Sequence, residues 1–193
     1  MATMILLPDG SSGHTFHWTA NTGTHHGALD DENGDTSYVK CSTNARVLNV
    51  TYANPSVAEA DIASITSVQF LSTGRSTDRS NPSLVDISFL TPTAGYSETM
   101  SYNAHFSNYE TLNGTARTYS TEGIAVSWTY SDLENLSLKM IKNGTVTVRV
   151  SYLALLVTYV PAGYGNSVGG VASGDISKVN GIATGDISKV NGV

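Results

Sequence analysis

At 193 residues with a formal net charge of −6, the chain has room for one well-buried domain, or one domain and a tail. Only 13% of it is charged, against a usual globular share of about 25%, yet 10 Tyr, 4 Phe and 2 Trp stand against intrinsic disorder. Glu, Lys, Ala and Leu are too scarce for a coiled coil or helical bundle; abundant Ser, Thr, Asn and Gly favour β-structure with many turns.

From residue 1 to about 164 the sequence reads as one domain. Its first residues, Met1 to Leu7, carry no basic segment and too few apolar residues for a secretory signal, so the expected product is made in the cytoplasm without Sec-type export. Pro8-Asp9-Gly10 reads as a turn. β-rich runs then recur at 16–19, 38–41, 47–52, 65–72, 84–90, 98–103, 115–120, 136–141 and 145–160. Turn clusters separate them, among them Asn33-Gly34-Asp35, Asn81-Pro82, Asn113-Gly114 and Asn143-Gly144. Strands at this spacing predict an all-β fold, an antiparallel β-sandwich. The only helical signal is Ser131-Asp132-Leu133-Glu134, a capping-box pattern with the cap at Ser131, enough for a turn or two.

The last run is the most informative. Val148, Val150, Tyr152, Ala154 and Leu156 share one face of a strand; Arg149, Ser151, Leu153, Leu155 and Val157 share the other, which turns apolar after two positions. A strand with both faces apolar is central in its sheet or covered by a partner. At 152–160 it is also the most apolar stretch, about half the length that a membrane helix needs, so no membrane is expected as partner.

Residues 165–170 form a Gly-rich linker, and 171–193 hold two 11-residue repeats, VASGDISKVNG and IATGDISKVNG, identical at nine of eleven positions, before the final Val193. Two glycines in each copy would cost a helix about 2 kcal/mol. The favoured form is a short Asp-Ile-Ser-Lys-Val strand closed by an Asn-Gly turn. Ile176, Val179, Ile182, Ile187, Val190 and Val193 are too few for a core, so the tail is expected to order by docking on copies of itself or on a neighbouring protein.

Candidate chemistry is thin. His14, His17, His25 and His26 lie close together, but no Cys or carboxylate has zinc-site spacing, and adjacent His25 and His26 would point to opposite faces of a strand. The stretch Asp30-Asp31-Glu32-Asn33-Gly34-Asp35 fails as an EF-hand: Thr36 replaces the required glycine and Ser42 the bidentate glutamate. No G-x-S-x-G elbow, HExxH motif or phosphate-cradling loop occurs, so neither enzymatic activity nor a cofactor is expected. The single Cys41 cannot form an intrachain disulfide and is expected to be buried. Ten basic residues against sixteen acidic ones, with no basic run, argue against a nucleic-acid partner. The Tyr-rich middle (Tyr96, Tyr102, Phe106, Tyr109, Tyr119, Trp128 and Tyr130) offers rings that either stack on sugars or fill the core; Tyr102, Tyr109 and Trp128 are the candidate glycan contacts.

Trp18-Thr-Ala-Asn-Thr-Gly23, Ala28-Leu29-Asp30-Asp31-Glu32 and Thr36-Ser-Tyr38-Val39 resemble the opening of a β-sandwich domain in uncharacterised tailed-phage virion proteins. Ile65-Thr-Ser-Val68 and Trp128-Thr-Tyr-Ser-Asp132-Leu133-Glu-Asn-Leu136 are similar to its middle. Val148-Arg-Val-Ser-Tyr152 through Val157-Thr-Tyr159 resembles its final strand, and the Ile-x-Lys-Val-Asn-Gly repeats resemble phage structural tails. The resemblance implies a jelly-roll-like sandwich and a non-enzymatic place on the virion; it supplies no site residues. The expected protein is therefore a virion structural subunit, of capsid-decoration (cement) or fibre-and-spike type. Its repeat tail would join it to other virion proteins and to its own copies, as a homo-oligomer such as a trimer. The alternative is a glycan- or receptor-binding module that meets a host surface.

Overall fold

A computed structural model describes residues 1–13, 17–30, 36–78, 80–90, 95–102, 109–119, 126–162, 178–179 and 182–183. The strands follow in chain order as β1 (Ala2–Leu6), β2 (Pro8–Gly13), β3 (Thr19–Ala20), β4 (Val39–Cys41), β5 (Arg46–Tyr52), β6 (Ile62–Ser76), β7 (Ser83–Leu90), β8 (Gly95–Tyr102) and β9 (Glu110–Asn113). A single helical turn, α1 (Tyr130–Glu134), leads to β10 (Ser137–Asn143) and β11 (Val148–Pro161). All pairings are antiparallel.

One sheet has the order β3-β4-β11-β6-β9, with β1 also on β11; the other runs β2-β5-β10-β7-β8. The chain steps between sheets at every connection from β1 to β11 except β3 to β4 and β7 to β8. Each sheet thus has one face to bury, and the two faces meet as an all-β sandwich. Phe70 of the larger sheet stands edge-on to Phe89 of the smaller, 5.4 Å between centroids, and Trp128 packs edge-on against Phe89 at 6.1 Å. Leu48, Val50, Val85, Ile87, Leu138 and Met140 line the smaller sheet's inner face and are fully buried. Each such side chain contributes about 1.5–3 kcal/mol.

β11 is central, with β6 along one edge. Its other edge is completed in three pieces: β4 opposite Val148–Val150, an isolated bridge from Asp30 to Tyr152, and β1 opposite Leu155–Tyr159. The strict two-residue alternation breaks at a bulge between Val150 and Tyr152. An extra residue there reverses which parity faces inward. The core side therefore runs Val148, Val150, then Leu153, Leu155, Val157 and Tyr159. This is the physical reason why the odd-numbered face turns apolar part-way along.

Three local expectations change. Pro8-Asp9-Gly10 is no turn but the start of β2, an outer strand where proline's missing N–H costs no ladder bond; a bulge lies between Pro8 and Gly10. Run 115–120 forms no strand among its described residues; Arg117 makes an isolated bridge to Val68. The helix cap is Thr129 rather than Ser131: Thr129 Oγ1 accepts from Asp132 N (3.1 Å) and Thr129 N donates to Asp132 Oδ2 (2.8 Å). The Thr-x-x-Asp box lies two residues upstream of the expected one, and Leu133 in this turn is buried.

In the tail, Lys178–Val179 (β12) pairs antiparallel with Ile182–Ala183 (β13), one strand segment in each repeat, separated by Asn180-Gly181 in sequence. Val179 and Ile182 face each other in that register. Ile176, Ile187, Val190 and Val193 lie outside the described residues.

Candidate functional site: a cation and tyrosine row on the larger sheet

Along β4, Val39 and Cys41 point inward and are buried, so Lys40, with Tyr38 and Ser42 in the same alternation, faces out. Along β11, Val148 and Val150 point inward, which sends Arg149 out. The register then fixes the rest: Thr19 pairs with Lys40, Lys40 with Arg149, and Arg149 with Arg75. Glu110 pairs with Gly74, which places Tyr109 one step along, beside Arg75. The result is one row, Thr19–Lys40–Arg149–Arg75–Tyr109, that crosses the sheet from β3 to β9.

Three of the chain's ten Lys and Arg residues therefore stand directly opposite one another. Like charges in that relation destabilise a sheet. Two tyrosines offset this. Arg149 Cζ lies 4.5 Å from the Tyr38 ring centroid and Arg75 Cζ 5.0 Å from that of Tyr109. Each contact contributes about 0.5–1 kcal/mol. Lys40 is exposed and Arg149 half-buried, its Nε buried without a hydrogen-bond partner, while Arg75 is 9% exposed.

A polar cleft of about 260 Å³ adjoins the row, lined by His17, Thr19, Lys40, Ser42 and Thr147. Thr147 precedes Arg149 by two residues, as Ser42 follows Lys40, so the cleft and the row share the outer face. The β3–β4 arm is pinned by Asn21: its N donates to Tyr38 O (3.0 Å) and its Oδ1 accepts from Tyr38 N (2.6 Å).

The sequence-stated candidates are not brought together. Tyr109 belongs to the row. Trp128 lies between the sheets, 5% exposed, with Nε1 donating to Arg117 O (2.9 Å), and only its margin reaches a second groove of about 240 Å³ beside Glu59, Ile62 and Tyr130. The backbone of Tyr102 closes β8; its side chain lies outside the described residues. The histidines are dispersed: His25 Nε2 meets Trp18 O, His26 Nε2 meets Thr24 Oγ1 (3.1 Å), His17 lines the cleft, and His14 lies outside the described residues. Of the acidic stretch, only Asp30 is described. Among the described residues no group of three His, Cys, Asp or Glu side chains could hold a metal ion, and no helix is long and apolar enough to cross a membrane.

Cys41 is buried on the inner face; burial pushes its thiol up, partly offset by the Thr43 backbone and by Lys142 and Arg46. Lys142 is likewise enclosed, its ammonium donating to Asn143 O (2.8 Å) and Gly144 O (2.6 Å), and burial lowers its pKa. Neither opens to the cleft.

Lys40, Arg149, Arg75 and Tyr38 were not singled out from sequence. Alternation within β4 and β11 carries their outward direction, but their neighbourhood depends on pairings between strands far apart in sequence, Lys40 with Arg149 and Arg75 with Arg149.

No protein-family model matches this chain, and no curated protein matches it. Among solved structures it is similar to truncated AlyQ with CBM32 and alginate lyase domains, at 12% identity and TM-score 0.43, over 84% of this chain and 35% of that one. It is also similar to the CBM36-1 domain of a multidomain xylanase from the hindgut metagenome of Trinervitermes trinervoides, at 12% identity and TM-score 0.41, over 86% of this chain and all of that one. A third is the agarase AgWH50C, at 13% identity and TM-score 0.44, over 77% of this chain and 22% of that one. At such scores these likenesses carry no functional argument.

Proposed function

We propose that this chain is a non-enzymatic glycan-binding module, a jelly-roll-like sandwich that recognises carbohydrate on its larger sheet. The observation that carries the reading is the outer-face row: two half-buried tyrosine rings, charged and hydroxyl donors, and an adjoining polar cleft of about 260 Å³, all on one rigid surface. Rings with flanking hydrogen-bonding groups match the amphipathic faces of sugar rings. The resemblance to phage virion domains gives the setting: a particle surface, with host glycan as the partner.

A glycan array probed with the intact protein tests this. Specific retention, lost in Tyr38→Ala and Tyr109→Ala variants that remain folded by circular dichroism, is the expected result. Retention of no glycan, or unchanged retention by both variants, overturns it.

A second reading is supported by the tail. Lys178–Val179 of the first repeat pairs with Ile182–Ala183 of the second, and so short an apolar strand pair gains most by packing on further copies or on a neighbouring subunit. In this reading the chain is a virion decoration or fibre subunit and the tail attaches it. Removal of residues 165–193 is expected to leave a folded sandwich that no longer assembles; retained assembly contradicts it.

A further inference from the structure

We infer that the row Lys40–Arg149–Arg75 selects acidic glycans, oligosaccharides whose units bear carboxylate or sulfate groups. The inference rests on the glycan-binding reading and adds the ligand's charge class.

The protein is acidic overall, at −6, yet the fold gathers three cations from residues 40, 75 and 149 into one line on an outer face. A surface that gathers one sign of charge is suited to an opposite charge arriving from outside. The spacing is also informative. Neighbouring strands lie about 4.8 Å apart, so Lys40 and Arg75 are separated by about 10 Å across β11. That span places Arg149 at the middle of the footprint, between Lys40 and Arg75. Arg149 is the best equipped of the three: half-buried, its plane braced on Tyr38, with its Nε buried and unbonded. A guanidinium held in this way presents its remaining N–H groups as a fork matched to carboxylate or sulfate. Lys40, at the mouth of the cleft, supplies a mobile point charge, while Thr19 and Ser42 offer neutral hydroxyls.

The test is calorimetric titration of the full chain with three probes of equal length: a polyuronate hexasaccharide, a sulfated hexasaccharide and a neutral glucan hexasaccharide. A single-stranded hexadeoxynucleotide serves as a charged probe without sugar acids. Expected are binding of at least one acidic hexasaccharide at tenfold or greater affinity over the neutral one, affinity falling with added salt, and a tenfold or greater loss in Arg149→Gln. Arg149→Lys is expected to restore part of it, and exposed Lys40→Gln to lose several-fold without change in melting temperature. Equal binding of neutral and acidic sugars, or no loss in Arg149→Gln and Lys40→Gln, overturns the inference and leaves the glycan reading standing. Equal or tighter binding of the deoxynucleotide also overturns it, as charge attraction without sugar recognition. Binding of no hexasaccharide removes both.

Discussion

The two faces of the larger sheet are built by the same strands and differ in almost every physical respect. Inward, Val39, Cys41, Val148 and Val150 are buried against the second sheet. Outward, one residue away in each strand, stand Lys40 and Arg149, directly opposite each other, with Arg149 over the Tyr38 ring. The inner face is mainly apolar, whereas the outer face mixes buried residues such as Ala154 with the exposed Lys40 and half-buried Arg149, which are open to explanation by binding. Substitutions on the two faces are expected to separate accordingly.

The largest effect belongs to the inner face. Phe70→Ala leaves a void beside Phe89 and is expected to destabilise the fold by about 3–5 kcal/mol, read by urea unfolding. A loss under about 1 kcal/mol would mean that the sheets are not packed as described.

Next is a tie between the sheets. Tyr52 Oη donates to Leu153 O at 3.0 Å, and burial raises its pKa well above the usual tyrosine range, with Tyr152 adding to the shift. The folded state therefore holds this proton where the unfolded chain releases it. The contribution is complete below about pH 10 and is lost as pH rises further. Tyr52→Phe should cost about 1 kcal/mol at neutral pH and flatten the decline above pH 10. An unaltered alkaline profile would contradict the buried hydrogen bond.

Thr129→Ala removes the helix cap and should cost about 1 kcal/mol, with Ser131→Ala close to neutral. The reverse ranking would restore the downstream cap that the sequence suggested. Smallest of all, Lys40→Gln should shift stability by less than about 0.5 kcal/mol, since it relieves repulsion as much as it removes contacts. A large loss would make Lys40 structural and close the gap between the faces.

Much of the sandwich was legible in the sequence because strand alternation is local. The runs that became β5, β7, β10 and β11 declare themselves by β-branched and apolar residues at two-residue spacing. β1 and β2 escaped because Pro8, Asp9 and Gly10 carry turn chemistry that an outer strand tolerates. The helix cap slipped two residues because Thr129-x-x-Asp132 and Ser131-x-x-Glu134 satisfy much the same local pattern. The site was far less legible. Rings were sought in the Tyr-rich middle, yet Trp128 went into the core, and the row depends on Lys40, Arg75 and Arg149, each isolated in sequence among neutral neighbours. Register is a non-local property, and no local pattern reports that three distant cations will share a line.

The most direct measurement is the map of amide and side-chain NMR shifts as an acidic hexasaccharide is added to the labelled full chain. Shifts concentrated on Thr19, Tyr38, Lys40, Arg75, Tyr109 and Arg149, with the five-stranded sheet unmoved, are the expected result. Shifts gathered at the Trp128 groove or on the smaller sheet, with Arg149 silent, would contradict the account.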